Sequence, residues 1–196
     1  APSAPVKTAL HLRIPYWSRR TSVEVNGEPV DAVKPGTYLA LTRRWQPGDR
    51  VIIDMDMAPH LWQGANECEG LTSIYRGPLL LAYDQRYNRE RAKLAGNQLA
   101  PEHSVYGGDP WKTSDHLPGE LLPVPELDAS NLSLCPTVWD DWLPPMVLLE
   151  VDDAEGQPVR LCDFAGAGET GTLYRSWLLV RGEPGQAPFS RDNPLR

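Results

Sequence analysis

Short runs of alternating apolar and polar residues follow one another along the first half of the chain. Residues 10–14 read LHLRI, a period of two that is typical of a strand with one buried face. Similar β-prone runs follow at residues 21–25, 37–42 and 50–57. Turn sequences separate these runs about every ten residues, which favours antiparallel strands in a sandwich or barrel.

One of the turn sequences is specific enough to predict its geometry. Asn26-Gly27 stands between two β-prone runs, and these two residue types suit the positive φ angles of a type I′ turn. A tight hairpin is therefore predicted there. Residues 35–36 (PG) and 46–49 (QPGD) are further turn signals between predicted strands.

The second half of the chain mixes strand-like runs with a long irregular stretch. The runs cover residues 73–76, 79–83, 132–134, 145–151, 158–162 and 173–180. Residues 85–95 favour a short exposed helix, and we predict a long loop at about 84–119 and a loose tail at 186–196. Because no long helical period occurs, the expected fold class is all-β, an antiparallel β-sandwich.

Composition narrows the choice of partners. With 26 Asp and Glu against 19 Lys and Arg, the 196-residue chain carries a net charge of −7, which disfavours a nucleic-acid partner. No apolar run approaches the roughly 18 residues of a membrane span, so no membrane partner is expected. No signal peptide is visible at the N-terminus, and the sequence leaves the compartment undetermined.

Metal and redox chemistry find little support in the sequence. Cys68, Cys135 and Cys162 are far apart and form no C-x-x-C pair, so we expect buried free thiols rather than a disulfide framework. The four histidines show no metal-ligand spacing, and no catalytic serine motif is present. No catalytic residue, metal site or cofactor is therefore predicted in this chain.

Residues 166–171 (GAGETG) match the glycine pattern of dinucleotide-binding loops. In such loops a helix opens directly after the glycines, so that its N-terminal N–H groups bind the pyrophosphate. Here the next residues, 173–180, are rich in strand formers, and only sixteen residues follow them. We therefore interpret the glycines as part of a hairpin connection.

Acidic pairs are a second source of candidate chemistry, because glycosidases commonly use two facing carboxylates. The chain offers such pairs at residues 67 and 69, 140–141 and 152–153. In a chain this acidic, we expect these carboxylates to lie in solvated turns.

Six of the seven tryptophans fall into two groups. Trp17, Trp45 and Trp177 lie in or beside predicted strands and are expected to fill the core. The others of interest lie on loop-like segments, where they either fill the core or offer ring faces to sugars. This candidate carbohydrate-binding site consists of Trp111, Trp139, Asp140, Asp141 and Trp142.

Several motifs, taken in order, resemble a known family. They are L-R-I-P-Y-W at 12–17, V-N-G at 25–27, G-T-Y at 36–38, R-W-Q-P-G-D at 44–49, R-G-P-L at 76–79, D-F-A-G-A-G at 163–168 and Y-R-S-W at 174–177. The ordered set is similar to the C-terminal part of glycoside hydrolase family 127, the β-L-arabinofuranosidase-like enzymes.

That resemblance implies an accessory role. In the family, an N-terminal (α/α)6 barrel holds a cysteine nucleophile and a zinc ion bound by further cysteines and a glutamate, and two β-sandwich domains follow. This chain resembles only the sandwiches, so no catalytic or zinc-binding residue is carried over. The family places further strands before the L-R-I-P-x-W strand, which makes residues 1–60 a partial middle sandwich and residues 61–185 a C-terminal sandwich.

The expected function is that of a non-catalytic β-sandwich region that packs against the barrel of the same polypeptide and supports it. The barrel would act on arabinofuranoside-type glycans. The competing hypothesis is a carbohydrate-binding module that uses the loop tryptophans, and an independent enzyme comes third. A glycan and a homodimer are the further partners considered.

Overall fold

A computed structural model describes residues 2–89, 124–134, 145–169, 172, 174–181 and 189–190. Within these residues the regular structure is almost entirely β-strand, with two short 3-10 turns, so the predicted all-β class is confirmed. The chain divides into two compact units, unit 1 (Ala1–Ala58) and unit 2 (Pro59–Asn193). No helix of the described residues has the length and apolarity to cross a membrane.

Unit 1 is built from two small antiparallel sheets. Its strands are β1 (Val6–Arg13), β2 (Ser22–Val25), β3 (Glu28–Pro29), β4 (Tyr38–Trp45) and β5 (Val51–Asp54). Strand β1 pairs with β4 over eight residues, while β2 pairs with β3 on one side and β5 on the other. Every strand predicted before residue 58 is therefore present, with boundaries that differ by a few residues.

The hairpin between β2 and β3 has the predicted geometry. Asn26 and Gly27 have φ angles of 57° and 84°, which confirms two consecutive left-handed residues. The Asn26 side chain also joins this turn to the one at residues 46–49, because its amide donates to Asp49 Oδ1 and its oxygen accepts from the Arg50 N–H, both at 2.8 Å. Asp49 Oδ2 in turn accepts from the Gln46 N–H at 2.8 Å. We call this arrangement the double-turn clasp.

The core of unit 1 is small and leaves one strand uncovered. Val25, Leu41 and Trp45 are buried, and the half-buried side chains around them are those of Leu12, Val30, Leu39 and Val51. Strand β1 contributes little to this core, since Val6 and Leu10 remain 43% and 39% exposed.

Unit 2 is built around one larger sheet. Its strands are β6 (Pro59–Gln63), β7 (Thr72–Arg76), β8 (Leu79–Asp84), β9 (Leu127–Leu134), β10 (Leu148–Asp153), β11 (Pro158–Asp163), β12 (Tyr174–Arg175), β13 (Val180–Arg181) and β14 (Phe189–Ser190). The strand order is β13-β9-β10-β11-β8-β7-β6-β14, and β12 also pairs with β8. Most pairs are antiparallel, whereas the two-residue pairs β13–β9 and β14–β6 are parallel.

The segment 174–181 links three strands of unit 2. Tyr174 and Arg175 pair with β8, Leu178 exchanges two backbone hydrogen bonds with Thr72 in β7, and Val180 begins the pairing with β9. The sequence predicts one continuous strand here. The structure instead has two short strands and an isolated bridge, because the segment changes partner twice.

The core of unit 2 follows the alternation of its strands. Leu81 and Tyr83, Leu149 and Val151, and Val159 and Leu161 are pairs two residues apart that face the same side. The complete buried cluster is Leu61, Ile74, Leu81, Tyr83, Leu127, Ala129, Leu149, Val151, Val159, Leu161 and Leu178.

Three local features of unit 2 differ from expectation or extend it. The exposed helix predicted from residue 85 is wrong for Gln85–Asn88, which form a buried 3-10 turn. The Asn88 amide holds this turn in place by bonding the carbonyls of Asp84 and Arg160. Strand β6 was not predicted, because its sequence PHLWQ has no clear alternation. Phe189–Ser190, within the predicted tail, pair with β6.

Candidate functional site

The residues of the predicted carbohydrate-binding site cannot be placed in this fold. Trp111, Trp139, Asp140, Asp141 and Trp142 all lie outside the described residues, so this site stays a prediction.

The three tryptophans expected in the core differ in how far they are buried. Trp45 is buried, and its indole N–H donates to the Thr8 carbonyl at 3.2 Å. Trp17 and Trp177 are only half-buried. The core assignment is thus confirmed for Trp45 and only partly for the other two.

No metal centre emerges from the described part of the chain. Within it, no group of three or more His, Cys, Asp or Glu side chains is placed to hold a metal ion. Cys162 is a buried free thiol, as expected, whereas Cys68 is free but half-buried. Cys135 lies outside the described residues.

The most concentrated polar chemistry lies around two buried carboxylates, Asp84 and Asp163, which are 0% and 3% exposed. They belong to adjacent strands, since Asp163 lies opposite Leu81 in β8 and Asp84 ends that strand. Burying a carboxyl group is costly unless hydrogen-bond partners surround it. Both residues meet this condition, and we call the pair and its donors the carboxylate hub.

Asp84 binds three separate parts of the chain. Its Oδ1 accepts from the Arg86 N–H at 2.7 Å and from the Thr172 hydroxyl at 2.6 Å. Its Oδ2 accepts from the Gly168 N–H at 2.8 Å. One buried carboxylate therefore joins the end of β8 to the glycine-rich segment 166–171.

Asp163 organises the other side of the hub. Its Oδ2 accepts from the backbone N–H groups of Met146 and Val147, at 2.6 and 3.1 Å, before β10 begins. Its Oδ1 accepts from the Gly166 N–H at 3.0 Å. The residues leading into β10 and those following β11 are thus held by the same side chain.

These contacts explain the glycine pattern. The N–H groups of Gly166 and Gly168 already donate to carboxylates, and no helix begins after them in the described residues. Because Asp163 and Asp84 already occupy these N–H groups, the loop does not provide the anion site that the pyrophosphate of a dinucleotide needs. The segment is not a hairpin either, because β11 and β12 pair with Tyr83 on opposite edges of β8.

A buried cation and a thiol complete the hub. The Arg86 guanidinium lies over the Tyr87 ring, 4.5 Å from its centroid, and bonds the Tyr87 hydroxyl. Burial, and then the negative charges of Asp84 and Asp163, raise the pKa of the Cys162 thiol far above its usual value. Since the thiolate is the reactive form, Cys162 is a poor nucleophile at neutral pH.

The hub therefore has the chemistry of a structural centre. The side-chain oxygens of Asp84 and Asp163 accept hydrogen bonds from backbone N–H groups of the chain itself. A general acid or base must instead reach a proton of the substrate. The sequence signal that could have found it is an aspartate that ends a buried strand, in Tyr83-Asp84 and again in Cys162-Asp163.

The acidic pair at 152–153 departs in part from the expectation of a solvated turn. Asp153 was expected in a solvated turn but is only 2% exposed. Its Oδ1 accepts from the N–H groups of Glu155 and Gln157 at 2.9 and 2.8 Å, which closes the β10–β11 turn. The carboxylate is buried because the turn folds around it.

Comparison with protein families bears directly on unit 1. Residues 1–57 match the family described as the β-L-arabinofuranosidase, GH127 middle domain. The resemblance to glycoside hydrolase family 127 is confirmed. The match ends at residue 57, next to the boundary between the two units.

Solved structures extend the family-127 likeness to the fold of most of the chain. A glycoside hydrolase has a TM-score of 0.61 and 20% identity over 92% of this chain. A GH127 β-L-arabinofuranosidase from Geobacillus stearothermophilus T6 has a TM-score of 0.52 and 21% identity over 92%. A GH127 β-arabinofuranosidase has a TM-score of 0.59 and 18% identity over 91%.

In each case the chain covers only 28% of the length of the matched structure. At these identities the likeness concerns the fold. No curated protein sequence matches the chain.

Proposed function

We propose that this chain is a non-catalytic β-region of a family-127-like glycoside hydrolase, which supports a catalytic (α/α)6 barrel in the same polypeptide. The observation that carries the proposal is the match of residues 1–57 to the GH127 middle domain. The barrel would act on arabinofuranoside-type glycans, as the name of that family suggests. Any zinc would belong to the barrel rather than to this chain.

The uncovered side of unit 1 supports a role in packing. Val6 and Leu10 lie on the face of β1 that turns toward the small core, yet about 40% of each side chain is exposed. Within the described residues, β1 pairs only with β4, so its other edge carries unpaired N–H and C=O groups. Such an edge and face gain stability when another part of a larger protein covers them.

The hub supports the non-catalytic part of the proposal. The buried carboxylates among the described residues hold loops together, and the buried thiol is kept neutral. We therefore expect the isolated 196-residue chain to hydrolyse no aryl arabinofuranoside and no other common aryl glycoside, with or without added zinc. Zinc-dependent turnover that disappears in a cysteine variant would contradict the proposal.

The support role is tested with a longer polypeptide. A family-127 barrel joined to this chain should be more stable and more active than the barrel alone, and the isolated chain should self-associate in light scattering. Replacing Leu10 by Lys should weaken this association, while Glu28→Lys, on the exposed β3, serves as the control. A barrel that is equally stable and active alone would refute the support role.

A further inference from the structure

The β1–β4 sheet has a second face that the core of unit 1 does not use. Because successive side chains of a strand point to opposite faces, the register places Lys7 opposite Arg44 and Arg13 opposite Tyr38 on this side. We call it the outer face. All eight of its side chains are exposed, those of Lys7, Ala9, His11, Arg13, Tyr38, Ala40, Thr42 and Arg44.

The outer face carries cations and no acidic residue. Lys7 and Arg44 lie directly across the two strands, a placement that like-charge repulsion disfavours. No ion pair of the described residues involves Lys7, Arg13 or Arg44. Arg43, on the other face, differs because it lies 3.8 Å from Asp49 and stacks on Trp45.

This concentration of positive charge runs against the composition of the chain. Residues 1–58 hold eight Lys and Arg against six Asp and Glu, a net charge of +2. The remaining residues hold eleven against twenty, a net charge of −9. Cations gathered on one face of an acidic protein create a local positive potential that attracts an anionic partner.

We propose that the outer face binds an acidic polysaccharide. Carboxylates of uronic-acid residues would pair with Lys7, Arg13 and Arg44, and the apolar side of a sugar ring would pack on Tyr38, which is 67% exposed. From Lys7 to Arg13 the strand extends about 20 Å, which suits an extended polymer better than a small anion. The choice of a sugar rests on the proposed function, whereas the choice of an anion rests on the face itself.

The test uses the full 196-residue chain and three polymers, polygalacturonate, its fully methyl-esterified form and polyglutamate. Calorimetry should show binding of polygalacturonate at low salt, loss of binding to the neutral ester, and weakening as sodium chloride screens the charges. Binding to polyglutamate should be clearly weaker, because it offers carboxylates but no sugar ring.

Variants separate binding from stability. Lys7→Glu should weaken polygalacturonate binding about tenfold but leave the thermal midpoint unchanged or higher, because an acidic residue then faces Arg44. Tyr38→Ala should weaken binding to polygalacturonate but not to polyglutamate. Arg19→Glu, which makes the same charge change at an exposed cation outside the outer face, is the matched control and should bind like the parent chain.

Equal binding of the neutral ester, or polyglutamate binding as tight as that of polygalacturonate, would overturn the proposal. So would an equal loss in Arg19→Glu, since the attraction would then be diffuse. Salt-sensitive dimers that disappear in Lys7→Glu would identify an acidic surface of a second copy as the occupant. None of these results would contradict the support role, which is tested by the experiment with the barrel.

Discussion

Units 1 and 2 are both built from β-strands, but each unit is stabilised by different features. Unit 2 buries an apolar cluster of eleven residues and two carboxylates whose donors come from several loops. Unit 1 buries five apolar residues and has a clasp between two turns near its surface; the buried residues are Ile14, Val23, Val25, Leu41 and Trp45. Unit 2 is therefore stabilised mainly by its interior, while unit 1 depends more on its turns.

This difference explains why the family resemblance is strongest where the core is weakest. The motifs of unit 1 include the two turn sequences N-G and Q-P-G-D, which supply the Asn26 and Asp49 side chains of the clasp and two glycines with positive φ. A core position of unit 2 requires only an apolar side chain of suitable size, a condition that many sequences meet.

The largest effect should come from the interior of unit 2. Leu161 is 0% exposed, so Leu161→Ala should lower the free energy of unfolding by about 2–5 kcal/mol in a urea titration. Leu10→Ala, a similar deletion on the exposed strand of unit 1, should cost much less. Equal losses would show that Leu10 is covered in solution.

A somewhat smaller loss should follow from damage to the hub. Asp84→Asn replaces one acceptor oxygen by an N–H donor beside the N–H of Gly168 or the hydroxyl of Thr172, which should cost about 2–3 kcal/mol. Glu155→Gln, at an exposed position in the β10–β11 turn, is the control. If both variants unfold at the same urea concentration, the hub does not stabilise unit 2.

Substitutions in the β2–β3 turn of unit 1 should lower the free energy of unfolding less. A Cβ at Gly27 meets no atom within 4 Å, so Gly27→Ala tests only the strain of a positive φ, about 1 kcal/mol. Asn26→Ala should cost a similar amount because it removes both side-chain bonds of the clasp. Unchanged thermal midpoints in both variants would mean that the clasp does not form.

The smallest expected effect is a loss of stability of unit 1 at acidic pH. The N–H of Gln46, the Asn26 amide and the Arg43 charge hold the pKa of Asp49 below its usual value. The stability that results is complete above the usual pKa and is lost as the pH falls through the lowered one, from about pH 4 downward. Thermal scans should show this loss, and Asp49→Asn should reduce it.

The sequence predicted those features that depend on neighbouring residues. Alternation predicted most strands, and Asn26-Gly27 predicted its turn, because both depend on local backbone geometry. It did not predict the hub, in which Thr172 and Asp84 come from distant parts of the chain. The burial of Asp153 was missed for a related reason, since the charge of a side chain does not reveal how many donors will surround it.

The segment 174–181 has a consequence for the order in which the protein folds. The Ser73 hydroxyl bonds the Ser176 carbonyl across 103 residues, and β9, which also pairs with β10, gains its second neighbour only when β13 arrives. A ribosome releases these residues long after β6, β7 and β8 have been made, so the edge of β7 at Thr72 stays open until Leu178 is available. Contacts of such high sequence separation slow folding and lengthen the time during which strands are open to aggregation. In the growing chain, these edges of β7 and β9 are therefore exposed until the segment 174–181 has emerged.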